Sequence, residues 1–138
     1  VSRMLLVFLV LVLIPQNFAT QASESTLSQE WKNAFEVLNL MYGDNLKWSD
    51  EWANKALEYL KSPNSVKADM AIEGEQSFPE HDRQSVLQKL LAFLGPRFGE
   101  IDKALEGLPM GTIYGCNGVV NKKGNRDFIS AACVYKKP

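Results

Sequence analysis

The sequence predicts an α/β fold in which helices pack on a small antiparallel sheet that ends in a disulfide-stapled C-terminal hairpin. Two observations carry the prediction. In residues 26 to 42, 49 to 61 and 81 to 106 the apolar residues recur at three- and four-residue steps, the spacing of one helical face. From residue 111 the period changes, and a Gly124-Asn125 pair separates two stretches that each hold one cysteine, Cys116 and Cys133. Gly followed by Asn suits a two-residue hairpin turn, so cross-strand partners would have numbers summing to 249, and the two cysteines satisfy that sum. In such a ladder Lys123 and Arg126 form a hydrogen-bonded pair, which by alternation makes Cys116 and Cys133 a closer, non-hydrogen-bonded one. Their α-carbons would be about 4.5 Å apart, at the short end of the disulfide range. A bulge at Gly115 or Gly118 would shift the count without abolishing the bond.

The 138 residues fit one domain, and 46% hydrophobic content supplies a core. Residues 1 to 22 read separately. Arg3 precedes an unbroken apolar run, Leu5 to Ile14, followed by Pro15 and small or polar residues, the layout of a secretory signal peptide. A membrane span would need about 20 apolar residues, roughly twice the run. Thr20-Gln21-Ala22 places the expected cleavage after Ala22, leaving a mature domain of residues 23 to 138, and Met4 rather than Val1 is the expected natural start. The mature chain then carries fourteen basic and sixteen acidic residues, a net charge of -2, which argues against a general nucleic-acid binder. Residues 111 to 138 are nevertheless basic by four charges, and residues 23 to 110 acidic by six. A solvated basic turn on an acidic body accounts for this, and a patch for anionic partners is the alternative.

In the first helix, residues 26 to 42, Leu27, Trp31, Ala34, Phe35, Leu38 and Met41 share a face. Thr26 with Gln29 reads as its capping box and Gly43 as its left-handed stop. Ser49 caps a second helix, with Asp50 and Glu51 where the helix dipole favours negative charge, and Trp52, Ala53, Ala56, Leu57 and Leu60 turned inward. Ser62-Pro63-Asn64 ends it. Residues 62 to 80 lack periodicity and read as a long connection with at most a short strand at 70 to 72. A third helix is expected over residues 81 to 94, ended by Gly95-Pro96, and a short fourth over 99 to 106.

Export implies oxidised cysteines, and a bond closing a loop of roughly seventeen residues would contribute about 3 kcal/mol by chain entropy. Redox catalysis fits poorly because the cysteines are not in a CxxC arrangement. Two cysteines and one histidine cannot supply the usual four zinc ligands without carboxylates.

The segments "IYGCNGVV" and "ISAACVYKKP" resemble the C-terminal hairpin of the CAP superfamily, which comprises cysteine-rich secretory proteins, antigen 5 venom allergens and plant pathogenesis-related (SCP-like) proteins. Its members close on a Gly-Cys-Gly strand, a turn and a Val-Cys-Asn-Tyr strand; here Asn117 follows the first cysteine, and Val134 stands where the asparagine would. "LKWSDEWANKALEYL", residues 46 to 60, is similar to the family's tryptophan helix, and Gly74-Glu75-Gln76 to its Gly-Glu-Asn segment. The resemblance implies an α-β-α sandwich and a cleft in which two histidines and two acids hold a divalent metal. Leu38-Asn39 occupies the place of the first His-Asn pair, and residues 98 to 108 contain no histidine for the second. Glu75 remains as a remnant cleft acid, so the resemblance implies the scaffold without its metal site and without a cofactor.

Glu80, His81 and Asp82 have the composition of a metal or acid-base group, but consecutive residues at a helix start point to different sides. Ser85 and the other serines have no partner histidine at triad spacing. Trp31 and Trp52 fall on apolar helix faces and read as core, while Trp48, just before a cap, is expected to be partly exposed. The expected function is extracellular binding of a protein or lipid without catalysis, through residues 62 to 80 or the basic turn at 122 to 126. The alternatives are a small lipid or sterol carrier, and a secreted metal-dependent hydrolase using Glu75, Glu80, His81 and Asp82.

Overall fold

The computed structural model describes residues 27 to 138; the expected signal peptide at 1 to 22 and the capping residue Thr26 lie outside the described residues. Three helices and four strands follow in the order α1 (Gln29–Leu40), β1 (Leu46–Trp48), α2 (Asp50–Lys61), β2 (Met70–Pro79), α3 (Val86–Glu106), β3 (Thr112–Lys123) and β4 (Arg126–Lys136). The strands form one sheet in the order β1-β3-β4-β2. β3 is antiparallel to β4 and β4 to β2, but β1 runs parallel to β3, so the sheet is mixed and not the purely antiparallel one expected.

The hairpin has the register read from the turn, with Lys123 opposite Arg126 and Cys116 opposite Cys133. Gly124 takes φ 63°, the left-handed value that the first turn position requires and that glycine adopts without strain. Cys116 and Cys133 are joined in a disulfide with their α-carbons 4.0 Å apart.

Alternation along the strands then builds two cores. Tyr114, Cys116, Ile129, Ala131, Cys133, Tyr135, Ile72 and Phe78 face one side, where α1 and α3 cover them with Phe35, Leu38, Leu90, Phe93, Leu94 and Phe98. Val134 faces the other side, against Trp52 and Ala56 of α2. Gly115 points into α2, and a β-carbon there would lie 2.0 Å from the Ala53 backbone nitrogen. The absence of a side chain is what lets helix and sheet approach so closely.

Four differences from the sequence reading have physical causes. The cap of α1 is Ser28, whose hydroxyl accepts from the Trp31 N–H, and the helix ends at Leu40 with Met41 exposed and Gly43 outside the left-handed region. Residues 70 to 79, expected as connection with at most a short strand at 70 to 72, form a ten-residue strand, because the whole segment ladders onto β4 despite its Glu, Gly and Gln residues. The expected third and fourth helices are one, α3, which runs through Pro96 and bends at Ile101. Burial of Phe93, Leu94 and Phe98 on both sides of the proline outweighs the hydrogen bond that Pro96 removes. The α3 helix also starts later than expected, at a capping box in which Ser85 and Gln88 bond each other's backbone N–H groups, so His81 lies in a turn before it.

Candidate functional site

Among the described residues Asn39, Thr112 and Asn117 are the buried polar side chains, and Asn39 stands at the centre of the broad core. Asn39, at the end of α1, is buried under the hairpin, and its side-chain amide donates to the Phe35 carbonyl (2.9 Å) and toward both disulfide sulfurs (3.4 and 3.7 Å). Its side-chain carbonyl accepts from the Tyr135 hydroxyl. Every polar group of this buried side chain is therefore engaged, and α1 is tied at once to both strands of the hairpin. Tyr135 stacks on Tyr114 with centroids 5.7 Å apart, and Tyr114 and Trp48 pack edge to face with centroids 5.4 Å apart. Burial pushes the Tyr135 phenol well above its ordinary range, and it does the same to Tyr114 with help from the nearby Glu36 charge. Both phenols are thereby held neutral, as befits hydrogen-bonding and stacking groups.

This aromatic row reaches the surface at Trp48, which lines a groove of about 430 Å³ with Leu27, Gln29, Lys32, Asp50, Ala53 and Asn54. The first turn of α1, the end of β1 and the first turn of α2 form its walls. The α2 turn is placed by the Ser49 cap, which accepts from the Trp52 N–H, as the sequence indicated. Trp48 is half-buried and fixed: its indole N–H donates to Asp50 Oδ1 at 2.9 Å. The Lys32 ammonium lies 5.5 Å from the ring centroid and 3.8 Å from the same carboxylate oxygen.

The model of the 15 kDa excretory/secretory protein family matches residues 34 to 137. The chain belongs to that family. Among similar proteins are a "30 kDa antigenic glycoprotein" of Trichostrongylus colubriformis, 28% identical over 88% of this chain and 90% of that protein, and a "15 kDa excretory/secretory protein" of Haemonchus contortus. The latter is 30% identical over 75% of each chain. No solved structure matches. The protein is a secreted, extracellular one, in keeping with these relatives and with its disulfide.

Within this 15 kDa excretory/secretory family member, the acidic and histidine residues singled out in the sequence do not converge. Glu75 is exposed on β2 and follows Gly74, which faces Phe93 of α3, so Glu75 points to the opposite face of the sheet from the buried Leu38. His81 is exposed and lies 3.7 Å from the Glu80 carboxylate. Among the described residues no three His, Cys, Asp or Glu side chains come together to hold a metal. No helix among them is long and apolar enough to cross a membrane. The basic turn is solvated, with Lys122 paired to Asp127 at 3.0 Å, Lys123 over the Phe128 ring and Arg126 bonded to Ser77. Between α1 and the start of α3 lies an apolar groove of about 240 Å³, lined by Ala34, Val37, Val86 and Leu87 among others, which is smaller than the roughly 300 Å³ at which ligand pockets begin. Trp52 is buried and Trp31 covers Gly118, whereas Trp48 lines the groove of about 430 Å³. The sequence pointed to Trp48 through its place before the cap; it placed Asn39 only by its family resemblance and gave no sign of its tie to the disulfide, whose sulfurs lie 77 and 94 residues away.

Proposed function

We propose that the protein is a non-enzymatic extracellular binding protein, on a scaffold similar to a CAP domain without its metal site, that recognises a protein partner by pairing a basic extended segment with the outer edge of β2. The supporting observation is that edge. β2 is the last strand of the sheet, and β4 pairs with it on one side only. The Glu80 N–H donates to the Asn125 carbonyl, so residues 71, 73 and 75 turn their backbone groups away from β4 by alternation, and no described residue pairs with them. A row of open N–H and C=O groups is a template for strand addition. Glu73 and Glu75, both exposed on this strand, select the partner's charge: two copies of β2 would bring like carboxylates together, whereas a Lys- or Arg-bearing strand would neutralise them. Helices on both faces and a stapled terminal hairpin support the CAP-like part of the reading.

The test uses a synthetic octapeptide of alternating Lys and Val. Its addition to the protein is expected to shift the amide NMR signals of Ala71, Glu73 and Glu75, and the double substitution Glu73→Lys, Glu75→Lys to abolish the effect while leaving melting unchanged. Shifts confined to other elements, or unaffected by charge reversal, would overturn the reading. Stoichiometric zinc on the purified protein that is lost on His81→Ala would overturn its non-enzymatic part and favour the hydrolase.

A further inference from the structure

The groove beside Trp48 carries a separate inference, independent of the β2 edge. Its composition narrows the ligand by exclusion. The charged groups on its wall are one ammonium, Lys32, and one carboxylate, Asp50, held 3.8 Å apart, so the site is close to electrically neutral. A ligand cation would be repelled by the Lys32 ammonium, and a ligand anion by the Asp50 carboxylate. A lipid tail would cover the Asn54 amide and desolvate the Lys32–Asp50 pair without offering either a hydrogen bond. A ring with one apolar face and a rim of hydroxyls meets all these conditions. Its C–H face stacks on the indole, and its hydroxyls bond both members of the Lys32–Asp50 pair and the Asn54 amide one helical turn beyond Asp50.

Preorganisation strengthens the case. Trp48 is held by the Asp50 carboxylate on its N–H and by the Tyr114 ring against it, and Tyr114 stacks on Tyr135 beside the disulfide. The platform therefore loses little freedom when something stacks on it. A volume of about 430 Å³ lies within the range of small-molecule sites and has room for more than one sugar ring. We propose that the Trp48 groove is a binding site for a neutral saccharide, with Trp48 as the stacking platform and Lys32, Asp50 and Asn54 as the hydroxyl-binding groups.

The experiment is saturation-transfer NMR with tryptophan fluorescence on the intact protein. The probes are three uncharged trisaccharides, of the chito-, manno- and lactosyl type, with phosphocholine and a heparin hexasaccharide as charged competitors. At least one neutral probe is expected to receive saturation and shift the fluorescence. Trp48→Ala should weaken it by at least about tenfold, and Trp48→Phe by less. Because Trp48 also packs against Tyr114, the exposed Asn54→Ala provides a variant in which folding is not at issue, with binding reduced several-fold and melting unchanged. The proposal is overturned if no neutral trisaccharide binds at about 10 mM, a concentration that would reveal even weak sites. It is equally overturned if only phosphocholine or heparin binds, or if binding survives both Trp48→Ala and Asn54→Ala undiminished.

Discussion

The two faces of the sheet are covered in different ways. On one, α1 and α3 lay a continuous apolar core over all three long strands, from Ile72 and Phe78 of β2 to Tyr135 and Cys133 of β4 and Cys116 of β3. The other is covered by α2, with Val66 and Ala68 of the connection after it, over a small cluster around Trp52, Ala56 and Val134, and toward the hairpin turn no described residue covers that face, with Phe128 exposed and Val119 and Ser130 half-buried. The first face is held by burial area and by the Asn39 tie; the second by closeness of approach at Gly115 and by one buried hydrogen bond, from the Asn117 amide to the Ala53 carbonyl. Stability on a broad core is spread over many side chains, so single losses there are graded. At Gly115 it rests on one backbone contact, which has no graded way to give.

The largest effect is therefore expected on the smaller face. Gly115→Ala places a methyl 2.0 Å from the Ala53 nitrogen and 2.3 Å from the Trp52 carbonyl carbon, both backbone atoms, so α2 must move off the sheet. A loss of about 4 kcal/mol or more is expected in urea unfolding, up to failure to fold; a loss below about 1 kcal/mol would show that α2 is free to shift and would remove the contrast.

Next in size is the staple on the broad face. Replacing Cys116 and Cys133 together by alanine releases a loop of 17 residues, and the expected loss in denaturant titrations is about 3 kcal/mol. Asn39 also loses its two sulfur acceptors, so amide exchange at the end of α1 should quicken along with that of the hairpin.

The smallest of the three tests the polar tie. Tyr135→Phe leaves the Asn39 carbonyl buried without a donor, for an expected cost of about 1 to 3 kcal/mol. It also carries a pH signature. Burial raises the phenols of Tyr114 and Tyr135 above their ordinary value of 10.0, so below that value both states are protonated and no pH dependence arises from them. Above it the unfolded chain loses these protons first, and stability falls as pH rises. Melting curves between pH 9 and 12 should therefore fall less steeply for Tyr135→Phe than for the parent protein; parallel curves would assign the alkaline loss elsewhere.

What was legible in the sequence were the features fixed by near neighbours. Ser49 caps α2 through a bond three residues long, and the hairpin register follows from Gly124 because pairing outward from a tight turn requires no distant information. The exposed side of Trp48 followed from its position ahead of the same cap. β2 was not legible, because Glu73, Gly74, Glu75 and Gln76 have little strand preference of their own and are held extended by pairing with residues more than fifty positions away. The continuity of α3 was hidden for a related reason: Pro96 is a local stop that the burial of Phe93 and Phe98 overrides.

The sequence by itself thus determined the helical faces of α1 and α2, the hairpin and its disulfide, since each depends on torsional preferences and periodicity within a few residues. Only the tertiary structure decided that Asn39 ties α1 to both cysteines, that β2 ends the sheet with an open acidic edge, and that Lys32 and Asp50 meet beside Trp48. These features join groups from separate elements, and their energies appear only when chain folding has brought distant partners within hydrogen-bonding or contact distance.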